Sequence, residues 1–163
     1  MSALARMNWV RWWWPAVVWA ALIFNFSTDA FSSEQTSRIL VPFLHWLFPG
    51  AGLETLEWIH HLVRKGGHVG EYFLFGLLLA RGIRGGRSGW KKEWSLAAAA
   101  GAAGWAGLDE LHQAFVPSRG PSILDVLIDV SGAVAGQIAF AAGALFRARR
   151  RERAGMDSHK PIV

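Results

Sequence analysis

Four blocks of mostly apolar residues, separated by short basic clusters, constrain this chain more than any other feature. Trp12–Phe26, Val69–Ile83, Trp94–Leu111 and Ile123–Phe146 are dominated by Ala, Leu, Ile, Val, Phe, Gly and Trp. A helix needs about 20 apolar residues to cross the hydrocarbon of a bilayer, and tryptophans at its ends can sit in the interface. The pattern predicts an all-α membrane protein, a four-transmembrane-helix bundle with spans at about 12–26, 69–83, 94–111 and 123–146. A hydrophobic share of 52% agrees with this, and 163 residues suit one domain. Residues 1–150 form that transmembrane domain, and 151–163 a basic tail.

The cations orient the bundle. Arg6 and Arg11 precede the first span; Arg81, Arg84, Arg87, Lys91 and Lys92 join the second to the third; and the tail carries Arg147, Arg149, Arg150, Arg151, Arg153 and Lys160. Only Arg38, Arg64, Lys65 and Arg119 fall on the opposite side. Lysine and arginine collect on the cytoplasmic side of membrane proteins, so both termini are predicted to be cytoplasmic, in keeping with an even number of spans. This arrangement also accounts for the net charge of +5 without nucleic acid, for which no binding motif accompanies the charge. The absence of cysteine excludes disulfides and thiolate metal sites.

The segment between the first two spans is too long for a turn. Arg38–Phe48 and Leu53–Arg64 each place apolar residues on one helical face, which predicts two short amphipathic helices in the outer interface, the second closed by Gly66-Gly67. Gly132 and Gly136 in the fourth span, and Gly101, Gly104 and Gly107 in the third, are small residues of the kind that let helices approach closely in lipid.

The acids and histidines gather at the outer ends. Lys65, His68 and Tyr72 lie along one helical stripe with Glu71 beside it; Asp109 and His112 share a face of the third span; Asp125 and Asp129 share a face of the fourth. Imidazoles that move protons, carboxylates that orient them and cations that hold an anion would there come from three helices. His68, Glu71, Asp109, His112 and Asp129 are the catalytic candidates; Lys65, Tyr72, Glu110, Gln113, Arg119 and Asp125 are the ligand-binding candidates. Blander roles compete: Ser122 with Asp125 reads as a capping box, and Glu110 as a solvated helix-end residue. Asp129 lies within an apolar run, where a carboxylate needs a partner, and His68, His112, Lys65 and Arg119 are available. No cofactor motif is evident. Histidines with carboxylates suit zinc or manganese, so a divalent metal stays open, without a compact metal motif.

At these residues the chain resembles the VanZ-like family of small bacterial membrane proteins. The likeness rests on Phe26-Ser27; Lys65-x-x-His68-x-x-Glu71-Tyr72; Asp109-Glu110-x-His112-Gln113-x-Phe115-Val116-Pro117-x-Arg119; and Asp125-x-x-x-Asp129-x-x-Gly132. It covers nearly all of the chain except the tail. The resemblance implies a multi-pass protein of the bacterial inner (plasma) membrane, linked to glycopeptide (teicoplanin) resistance. Its partners would be membrane lipids or a lipid-linked envelope precursor, and the chain gives no oligomeric state. Two functions then compete. One is a polar site at the outer face that acts on or binds a lipid-linked or anionic headgroup; the other is a non-catalytic scaffold whose polar residues glue the helices. Transport through the bundle is disfavoured, because the inner halves of the spans carry almost no ionisable groups apart from Arg81.

Overall fold

The computed structural model describes residues 3–28, 31–116 and 122–157; Arg119 lies outside the described residues. Five helices follow one another: α1 Ala3–Phe26, α2 Ser33–Leu47, α3 Leu53–Arg84, α4 Lys92–Gln113 and α5 Ile123–Asp157. Among the described residues there is no strand. Over Ile123–Ala154, with a mean hydropathy of 1.7, α5 is long and apolar enough to cross a membrane; no other described helix passes the same test. The sequence pattern predicts spans in α1, α3 and α4 as well; none of these reaches that combination of length and hydropathy over its described residues. Large apolar side chains nevertheless stay exposed along Val10, Trp14 and Val17 of α1, Leu96, Leu108 and Leu111 of α4, and Leu127 and Ile138 of α5.

The central element is α3, which packs against each of the other four. At 32 residues it is about 48 Å long, half as long again as the hydrocarbon core is thick. It also corrects the expectation of a short helix ending at Gly66-Gly67, because the amphipathic segment and the second apolar block form one continuous helix. A glycine inside a helix costs only about 1 kcal/mol, which tertiary contacts readily offset. Here contacts to α5 at Lys65 and His68 flank the pair. The other amphipathic segment is the separate helix α2, whose first turn is capped by Ser32 accepting a hydrogen bond from the Gln35 N–H at 3.3 Å.

Small residues bring the helices together. A Cβ at Gly132 would collide with the Val69 carbonyl, and one at Gly136 with the Phe73 carbonyl. Gly76 faces the Ala133 carbonyl in return, and Gln137 Nε2 donates to the Gly76 carbonyl at 2.6 Å. The α3–α5 seam is therefore backbone against backbone. The glycines of α4 do not pack this way: positions 104 and 107 open onto free space. Its buried stripe is Ala98, Ala102 and Ala106, four residues apart, where a methyl group fills the interface without a gap. Ala20, Ile23, Tyr72, Phe75, Ala102, Ala106 and Ala133 form the core cluster, with Trp19 and Trp105 against it.

Candidate functional site

The polar residues of α1, α3, α4 and α5 meet at one end of the core. His68 Nδ1 stands 3.2 Å from Asp129 Oδ1, within ion-pairing distance, and both side chains are largely buried. One turn outward, Lys65 Nζ forms an ion pair with Asp125. Among the described residues, His68 is the candidate that stands beside Asp129. On the α4 side, Asp109 Oδ2 accepts from Ser27 Oγ at 2.6 Å and from Gln113 Nε2 at 3.0 Å. Trp19 Nε1 donates to the Glu71 carbonyl at 2.9 Å and latches α1 onto α3 at the same level.

Two bland readings are corrected here. Glu110 is buried, not solvated, and its carboxylate accepts the backbone N–H of Ser122 at the start of α5. A capping box would give that N–H to the side chain three residues later. Asp125 instead holds Lys65, and α4 supplies the acceptor.

A cavity of about 250 Å³ opens beside this cluster, lined by Phe26, Ser27, Phe31, Thr36, Arg64, Gly67, His68 and Glu71. His68 lies four residues beyond Arg64 and three beyond Lys65, so it sits where two helical stripes cross. Its stripe with Arg64 and Glu71 faces the cavity, and its stripe with Lys65 and Tyr72 faces the interior and α5. Of the catalytic candidates, His68 and Glu71 line the cavity, while Asp129 stands behind His68. Asp109 touches the cavity wall only through Ser27. His112 is turned elsewhere: its ring lies against Phe24, with centroids 4.2 Å apart.

Sequence reasoning assigned no role to Ser27, Thr36 or Arg64. The spacing of Arg64, His68 and Glu71, at i, i+4 and i+7 along one face, could have revealed the second stripe. Thr36 offered no such signal, since only folding brings α2 against α3. Its hydroxyl donates to the Ser32 carbonyl at 2.8 Å and accepts from Arg64 Nη1 at 3.2 Å. His60 Nε2 lies 3.2 Å from the same oxygen. Burial, reinforced by the positive charge of Arg64, lowers the pKa of His60 from its ordinary value.

Buried polar atoms without a hydrogen-bond partner are rare in folded proteins. Among the described residues there are eight on side chains, and five belong to His68, Tyr72, Asp109, His112 and Asp129. No three His, Asp or Glu side chains of the described residues converge to hold a metal ion. A family model described as VanZ/LLP1 matches residues 12–147. No curated protein and no solved structure matches the chain.

Proposed function

Since the chain belongs to the VanZ/LLP1 family, as the match over residues 12–147 establishes, we propose that it is a multi-pass inner-membrane protein of the bacterial envelope, with a polar site at its outer face. In this reading α1, α3, α4 and α5 span the bilayer, both termini are cytoplasmic, and α2 with the first turns of α3 lies in the outer interface. The apolar exterior of α1, α4 and α5 supports it, because such faces are stable against lipid and costly against water. The site binds or acts on a lipid-linked or anionic headgroup, and through it the protein contributes to teicoplanin resistance.

The observation that carries this reading is the buried polar cluster around the His68–Asp129 pair, beside a cavity lined by Arg64, Ser27 and Glu71. A network made only for packing gains from satisfying its members, and the buried Tyr72 Oη and Asp109 Oδ1, which have no hydrogen-bond partner, suit a ligand. In the catalytic form His68 takes a proton from the bound group, Asp129 orients and balances the imidazole, and Arg64 lends positive charge to the anion. Lys65 is held by Asp125 and shapes the site from behind.

The Ser27–Asp109–Gln113 cluster and the Lys65–Asp125 pair favour a second reading, a non-catalytic scaffold or binding protein whose polar groups join the helices. Interhelical polar contacts in membranes average only about 0.6 kcal/mol, which explains dense polarity poorly. His68→Ala and Asp129→Asn, inserted at normal levels, distinguish the two. A site loses teicoplanin tolerance and alters the envelope lipid profile while melting in detergent is unchanged or raised. A scaffold loses thermal stability first. Unchanged sensitivity and lipid profile in both variants would sink the proposal.

A further inference from the structure

The far end of the bundle carries a second, larger cavity of about 560 Å³. Its walls include Arg84 from the last turn of α3, Arg87 and Gly89 from the following loop, and Arg147 and Arg151 from α5. Among the described residues no ion pair joins any of these four guanidiniums to a carboxylate. A charge bias between the two sides of a membrane explains why arginines collect at this end, but not why four from three elements face one space.

Their placement is built. Arg147 and Arg151 are four residues apart and share a face of α5. Arg87 is tied back by Nε to the Arg84 carbonyl at 2.8 Å and by Nη2 to the Ile83 carbonyl, and its guanidinium lies 4.5 Å from the centre of the Trp94 ring. Arg84 stands 5.4 Å from the Phe140 ring, and its Nε is buried without a hydrogen-bond partner. The chain turns into the cavity wall at Gly85 and Gly89, with φ of 58° and 78°, values that side-chain-bearing residues rarely adopt. Four like charges around one cavity repel one another, and an anion among them reverses the sign of that interaction.

We propose that this cavity binds a phosphate group through guanidinium contacts. Planar guanidiniums match phosphate oxygens two at a time, and the cavity has room for a phosphodiester with its glycerol. The phosphate comes from an anionic phospholipid headgroup or from solution, and the chemistry is the same for both. This inference does not depend on the site around His68.

The test melts the full chain in phosphatidylcholine nanodiscs against rising phosphatidylglycerol content, and separately against inorganic phosphate. Two pairs of substitutions remove cavity charge, Arg84→Gln with Arg147→Gln and Arg87→Gln with Arg151→Gln, so that one remains should the other not fold. Arg149→Gln with Arg150→Gln removes the same charge from outside the cavity. The expected result is a rise in melting temperature whose half-maximal ligand level increases about tenfold or more in the cavity variants and is unchanged in the control. A response to phosphatidylglycerol alone assigns a lipid headgroup, and an equal response to inorganic phosphate assigns a soluble ligand. No shift with either probe, or equal weakening in cavity and control variants, overturns the proposal.

Discussion

Gly76→Ala tests the seam that holds the candidate site in register. A Cβ at this position stands 2.7 Å from the Ala133 carbonyl oxygen, which is backbone and cannot rotate aside. Ordinary contact begins at 3.4 Å, so α3 and α5 must part by about 0.7 Å (3.4 − 2.7). Overpacking of this kind costs about 1–3 kcal/mol, and weakening the Gln137–Gly76 hydrogen bond adds about 0.6 kcal/mol. Alanine is the better helix former and returns about 1 kcal/mol. The net loss is then about 0.6–2.6 kcal/mol, so the clash outweighs the propensity. Gly104→Ala is the matched control: the chemistry is identical, nothing lies within 4 Å of the new methyl group, and stability should rise by up to about 1 kcal/mol. Reversible unfolding in detergent, measured on both variants, reads the two signs. Parting the helices also draws His68 away from Asp129, so teicoplanin tolerance should fall with Gly76→Ala and hold with Gly104→Ala. If Gly76→Ala proves as stable as Gly104→Ala, the backbone-to-backbone account of the seam is refuted.

Three other outcomes follow from particular contacts. Lys65→Met and Asp125→Asn should each destabilise, and their double-mutant cycle should give a coupling of about 0.5–3 kcal/mol; additive effects would mean that the pair is not formed. Glu110→Ala should cost about 1–2 kcal/mol by removing the acceptor for the Ser122 N–H, while Glu110→Gln, which keeps an oxygen there, should cost much less; equal losses would point to charge, not capping. The lowered pKa of His60 gives the folded protein fewer bound protons than the unfolded chain just below the ordinary value of about 6.5, so its contribution is full above that pH and is lost as pH falls towards the folded value. Hydrogen exchange should show α2 opening more readily over that range, and His60→Gln should abolish the pH dependence but not the docking.

The sequence by itself determined that the chain is all-helical, which ends of the helices are polar, and which family the chain belongs to. Those properties depend on local periodicity and on the order of residue types: apolar blocks, basic clusters and the spaced motifs from Lys65 to Asp129. Tertiary structure decided the pairings. His68 and Asp129 are 61 positions apart, and nothing in either segment says that His68 and not His112 is the partner. The tight approach of α3 and α5 decides it, because Gly132 rests on the Val69 carbonyl and so fixes the rotation of both helices one turn from the pair. The continuity of α3 through Gly66-Gly67 was hidden for a related reason, since glycine weakens a helix locally and only contacts from another element restore it. Ser27, Thr36 and Arg64 entered the cavity from three helices or their ends, and their proximity is a property of packing that no spacing along the chain encodes.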